Sequence, residues 1–173
     1  YDMCLSVATG KPWLPGLPDK SCPGWQVKQA PALIIDIDNG IWVVSERLAA
    51  LGRGHKAPND TPLHWMTFPD PPLLAKQSLR ELAQYAKSIE AGITVIDNLL
   101  RIAGVKDENS SEMDVAMVNL RQLCEGTGAA VKLLHHPRES SGVKSRAGDS
   151  IRGHSSIEAG VDSAFQITRE YQS

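Results

Sequence analysis

Gly92-Ile93-Thr94-Val95-Ile96-Asp97-Asn98 decides the fold. A β-branched apolar run that stops at one acid reads as a buried parallel strand bringing a carboxylate to the C-terminal edge of a sheet. Open α/β sheets bind their ligands at that edge. An acid so placed is a magnesium and water organiser in folds that hydrolyse nucleotides.

Similar units lie on either side of it. Upstream, Ala32-Leu33-Ile34-Ile35-Asp36-Ile37-Asp38 is a second apolar run ending in acids, with Asn39-Gly40 as its exit turn. Residues 41–51 follow as a helix with Ile41, Val44, Leu48 and Leu51 on one face. Leu63 to Phe68 reads as a short strand, and Leu79, Leu82, Ala83, Ala86 and Ile89 mark an amphipathic helix leading into the Asp97 strand. Downstream, Met113, Ala116, Met117, Leu120, Leu123 and Cys124 line one face of a helix that Gly126 and Gly128 end. Ala129 to His136 is the next strand, Pro137 to Gly153 a long basic loop, and Ala164 to Thr168 a last strand. Strands alternating with helices predict a three-layer α/β/α domain with a mostly parallel central sheet, spanning residues 1–173 as one unit.

Composition narrows the function. At 173 residues the chain is long enough for one sizeable core, and 42% hydrophobic with 22% charged residues is ordinary for a globular protein. A formal net charge of −2 excludes a general polyanion-binding surface, though not a local basic face. Cys4, Cys22 and Cys124 are odd in number and form no CxxC pair, which points to a reducing, cytoplasmic setting without disulfides or a zinc site. No apolar run is long enough for a membrane span. Trp13, Trp25, Trp42 and Trp65 read as core or interface fillers.

Three strands end in reactive groups: Asp36 and Asp38, Asp97, and His135 with His136. In a parallel sheet they share one edge, and two acids, a histidine and a basic loop suit phosphoryl transfer. The cradle G-x-x-x-x-G-K-[ST] is absent from residues 1–173. Ala8-Thr9-Gly10-Lys11-Pro12 does not replace it: proline stands where the magnesium-binding hydroxyl belongs, and a helix stops there instead of starting. Asp2-Met3-Cys4-Leu5-Ser6-Val7-Ala8 reads as the later part of a helix, so the sequence is expected to begin inside an element; with the cradle missing, an apolar strand and a Gly-Lys-Ser or Gly-Lys-Thr loop are expected upstream of Tyr1.

These segments together resemble the RecA-like ATPase core of the RepA-type hexameric helicase group, within the RecA, DnaB and KaiC superfamily. The resemblance rests on Ser6 to Trp13, Asp38-Asn39-Gly40, Glu46-Arg47-Leu48, Val95 to Leu99, Asp107 to Ser110, His135 to Arg138, and Arg152 to Ser156 closing on Asp162. It implies ATP and Mg2+ as cofactors, single-stranded DNA as partner, and a homo-oligomer, a hexamer, working as a replicative DNA helicase. Asp97 would be the Walker B acid, acting on magnesium through water. Asp38 stands where the family usually places a water-activating glutamate, one methylene shorter here, and Asp36 is a supporting acid. The phosphate sensor is His135 or His136, with His136 preferred as nearer the strand end. Arg152 is the candidate arginine finger, and Arg138, Lys144 and Arg146 are candidates for DNA backbone or interface contacts. Two other readings stand beside it: a recombination, repair or regulatory ATPase of the same fold without unwinding, and a degenerate, non-catalytic module for oligomerisation or DNA binding.

Overall fold

The computed structural model describes residues 1–14, 24–67, 76–105, 111–135 and 155–165. In chain order the elements are α1 (Asp2–Thr9), β1 (Ala32–Asp36), α2 (Ile41–His55), β2 (Leu63–Thr67), α3 (Lys76–Ser88), β3 (Ile93–Asp97), α4 (Leu99–Ala103), α5 (Ser111–Thr127), β4 (Ala130–Leu134) and α6 (Ser155–Ala159). The four strands form an all-parallel sheet in the order β2-β1-β3-β4.

The apolar runs are placed where water is absent on both faces. Every residue of β1 is buried, as are the first four of β3, whereas β2 and β4 are only partly covered. Strand alternation divides the side chains into two cores. Leu33, Ile35 and Ile96 pack with Leu82, Ala86, Ile102, Met113, Ala116, Met117, Leu120 and Ile157 under α3, α4, α5 and α6. Ala32, Ile34, Ile93 and Val95 pack with Cys4, Ala8, Val44 and Leu48 under α1 and α2. The result is a three-layer α/β/α domain. Each large apolar side chain buried this way contributes about 1.5–3 kcal/mol relative to exposure.

Handedness explains which helix lies on which side. From β1 the chain moves one way across the sheet to β2 through α2; from β2 it turns back past β1 to β3 through α3, then on to β4 through α5. Right-handed crossovers in opposite directions must use opposite faces, and α2 indeed lies in one layer while α3 and α5 lie in the other. The loops leaving the neighbouring strands β1 and β3 therefore diverge. This is the switch point of the sheet.

Several sequence expectations are refined. Thr9-Gly10 does end α1, with Gly10 in the left-handed conformation at φ 70°. The second strand stops at Asp36, because Asp38 and Asn39 turn their amides back onto the Asp36 carboxylate. Ile41 is 53% exposed and lies off the buried face of α2. Ser155 and Ser156 open the short α6. Ala164 and Phe165 are not in a strand, and the rest of that predicted strand, residues 166–168, lies outside the described residues. Trp42 is 84% and Trp25 61% exposed, so neither fills the core of this chain. Among the described residues no helix is long and apolar enough to cross a membrane.

The entry to the two central strands is the tightest backbone approach. The Gly92 amide donates to the Pro31 carbonyl at 2.8 Å, and a Cβ on Gly92 would lie 2.4 Å from the Ala30 Cβ. Gly92→Ala is expected to cost about 1–3 kcal/mol by overpacking. Ala30→Gly on that background should recover much of it, because the clashing atom is removed. Urea unfolding of both variants checks this; an unchanged midpoint for Gly92→Ala alone would contradict the close approach.

Candidate functional site at the sheet switch point

Register brings the strand-end acids together. Asp36 of β1 is the direct partner of Asp97 of β3, and Asp97 in turn faces Leu134 of β4. The Ile37 amide donates to the Asp97 carbonyl at 2.7 Å, which ties the two strand exits together where their loops diverge. The peptide joining Asp97 and Asn98 is cis.

Asp36 is fully buried, so its charge requires donors. It has them. The amides of Asp38 and Asn39 donate to Oδ1 at 3.0 and 2.8 Å, and the Asn39 side-chain amide donates to Oδ1 and Oδ2 at 3.2 and 3.0 Å. The Tyr1 hydroxyl of α1's N-cap donates to Oδ2. Burial, then the hydrogen bond to Asp36 and its charge, push the Tyr1 phenol up to about 12, with Arg47 opposing. Asp36 thus organises the loop, and its oxygens are occupied by the protein itself.

Asp38 sits on that loop with its backbone set by Asp36. Its carboxylate is 25% exposed and contacts two groups of the next strand's exit. Arg101 Nε lies 2.6 Å from Oδ1, and the Asn98 side-chain amide donates to Oδ2. Asn98 is also the N-cap of α4, its Oδ1 accepting the Arg101 amide at 3.1 Å. One asparagine therefore both starts the helix and holds the acid.

Asp97 is half-buried, with Oδ1 shielded from solvent. By strand alternation it belongs to the α1 and α2 side with Ile93 and Val95, and Leu134 packs on that same side. His135, half-buried, follows one residue after β4. His136, Arg138, Lys144, Arg146 and Arg152 lie outside the described residues. Among the described residues no three His, Cys, Asp or Glu side chains gather to hold a metal. At this edge Asp97 pairs in register with a sealed Asp36, and Asp38 stands on the loop that Asp36 holds.

A family model described as AAA domain matches residues 1–142. The chain belongs to that family. It therefore carries an ATPase-type, nucleotide-using domain of the P-loop or RecA-like kind. The matched span of the AAA domain includes Asp36, Asp38, Asp97, the histidine pair and Arg138, and ends before Lys144, Arg146 and Arg152. A comparison with curated proteins returns no match.

Sequence reasoning missed three members of this site. Tyr1, Asn98 and Arg101 act through contacts that no local pattern announces. The one available signal was Asn98 directly after the strand-end acid, an N-cap residue where a new helix could begin. A fourth unannounced group lies off the site, on the same side of the sheet as α1. Lys132 of β4 is half-buried 4.9 Å above the Trp13 ring and 5.9 Å from that of Phe165, with the Met3 Sδ at 3.6 Å. Desolvation lowers its amine pKa, partly offset by Cys4, whose own thiol burial pushes up to about 11.

Tyr1→Phe removes one donor to a buried carboxylate and should cost about 1–3 kcal/mol. The raised phenol pKa fixes the pH window. The stabilisation is complete below the ordinary tyrosine value near 10 and is lost as pH rises toward about 12. In an ultraviolet titration of the folded protein one tyrosine should ionise late, and Tyr1→Phe should delete that late phase alone. A late phase that survives the substitution would contradict the Tyr1–Asp36 contact.

Proposed function

We propose that this AAA domain is the ATP-hydrolysing motor core of a ring-forming DNA helicase of replication, assembled as a hexamer on single-stranded DNA. The observation that carries the reading is the register pairing of Asp36 and Asp97 at the switch point, with Asp38 suspended above them on a loop. An α/β sheet binds ligands at such a crevice. The family membership supports nucleotide use there.

The acids fit magnesium-ATP in kind. Magnesium takes one or two carboxylates plus phosphate oxygens and retains water, so it needs no protein cage. Asp97 is the acid we assign to magnesium through water. Bound magnesium-ATP supplies an electrophilic phosphorus with its oxygen charge partly neutralised. Asp38 orients the attacking water, and His136, or His135 beside it, reads the terminal phosphate. Arg152 is assigned as the finger reaching a neighbouring subunit's nucleotide, which makes hydrolysis depend on assembly. Arg138, Lys144 and Arg146 are assigned to the DNA backbone, where lysine and arginine contacts give salt-dependent affinity.

One observation favours a rival reading. The Asp38 carboxylate has donors on both oxygens, as it would in a non-catalytic module of this fold kept for oligomerisation or DNA binding. Turnover separates the two. In the full-length gene product, Asp97→Asn should lower magnesium-dependent phosphate release by about 100-fold or more, the scale of losing one catalytic electrostatic group. Nucleotide binding, followed with a fluorescent analogue, should persist. A wild-type protein that binds ATP without turnover supports the non-catalytic module. Turnover without displacement of a forked duplex supports an ATPase that does not unwind.

A further inference from the structure

Asp38 and Arg101 form an unequal pair. The acid is the fixed partner: its backbone amide is bound to Asp36 Oδ1, its Oδ2 to Asn98, and its side chain is only 25% exposed. The arginine is the movable one, on the last turn of a five-residue helix and 62% exposed. Its Nε lies 2.6 Å from Oδ1, the oxygen farther from the asparagine's grip. While that contact stands, a lone pair suited to a water hydroxyl is directed at a guanidinium.

An ion pair with this much exposure is weak, of the order that competing anions can exchange. A guanidinium matches a phosphate group better than it matches one carboxylate oxygen, because its planar fork can make two parallel charge-assisted bonds. Departure of Arg101 need not disorder the acid. Asn98 keeps its bond to Oδ2 and its cap on α4, both independent of the arginine side chain. Anchor and latch are thus separate residues at Asn98 and Arg101, joined through one helix turn.

We propose that Arg101 is a positioning residue that withholds Asp38 from the attacking water until a phosphate group draws the guanidinium away. This rests on the reading of Asp38 as the water-orienting acid. The phosphate can come from the nucleotide or from a nucleic-acid backbone, and the two sources predict different kinetics. If the backbone triggers release, Arg101→Ala raises the DNA-free kcat and removes stimulation by DNA. If the nucleotide itself triggers it, Arg101→Ala raises KM for ATP, because the better phosphate contact is lost with the weaker carboxylate one, and leaves kcat in place.

The test uses the full-length gene product, with ATP turnover measured with and without a single-stranded oligonucleotide. The variants are Arg101→Ala, Arg101→Lys and Asp38→Asn. Arg101→Ala should increase DNA-free kcat, or increase KM with kcat unchanged, by about fivefold, the factor an exposed ion pair commands. Arg101→Lys keeps the charge and should restore part of the wild-type restraint. A merely structural arginine predicts lower kcat and lower melting temperature together, with stimulation by DNA unchanged, and that result, or no kinetic change, overturns the inference. If Arg101→Ala does not fold, Arg101→Gln carries the same comparison. Asp38→Asn distinguishes the two levels of failure. If it is inactive while Arg101→Ala is slowed, only the latch is wrong. If it turns over like wild type, the role of Asp38 is wrong and the latch falls with it.

Discussion

A buried carboxylate governs this domain. Asp36 has no exposure to solvent, and a buried charge left without donors costs several kcal/mol. The chain meets that requirement by folding its next three residues back over it, so β1 cannot continue past Asp36 and the loop to α2 takes one shape. The same requirement recruits Tyr1 across 35 positions of sequence. It thereby joins α1 to the end of β1, and the helical layer to the sheet edge. Asp38 hangs from this loop, so its position is set by hydrogen bonds to a neighbour.

Topology and electrostatics then agree on one location. Right-handed crossovers send the loops after β1 and β3 to opposite faces, which opens a crevice between them. Parallel register sets Asp36 against Asp97 in that crevice. Nothing in the register alone requires acids there. The apolar cores on both sides of the sheet supply the constraint: carboxylates are tolerated only at the strand ends, and the two central strands are buried up to their last residue, β1 through it. A single-residue register slip would move Asp97 to the other face and pair it with a different row.

Much of this was legible in the sequence, and the reasons are specific. The Ile93–Ile96 run and the Ala32–Ile35 run are apolar without alternation, the mark of strands covered on both sides. The faces of α3 and α5 repeat at helical spacing, and Leu82, Ala86, Met113, Ala116 and Leu120 are buried together. The failures have equally physical causes. Residues 99–103 are too short to show a helical period, so α4 went unseen along with the Arg101 it presents. Asn98 and Asp38 are 60 positions apart, and only the pairing of β1 with β3 brings them into contact. Strand formation depends on a neighbour to pair with; Ala164 and Phe165, the first two residues of the expected last strand, are not in one, and residues 166–168 lie outside the described residues. Trp42 follows the same lesson from the other side: its chemistry suggests burial, but its place at the start of α2, just after the exit loop, turns it to solvent.

On the side of the sheet that carries α1 and α2, Asp36 and Lys132 are accommodated by opposite means. Asp36 is held by amide and hydroxyl donors. Lys132, in the middle of β4, is instead bordered by two aromatic rings and a thioether, and desolvation lowers its amine pKa. Ring faces stabilise an ammonium without fixing its direction, whereas hydrogen bonds to a carboxylate fix both the acid and the segments that donate to it. The difference matches position. At the strand end the group is locked by directional bonds, which also fix the loop that carries Asp38. On β4, whose only pairing among the described residues is with β3, a charged side chain within the strand discourages unwanted strand addition. Soft aromatic contacts accommodate the lysine there.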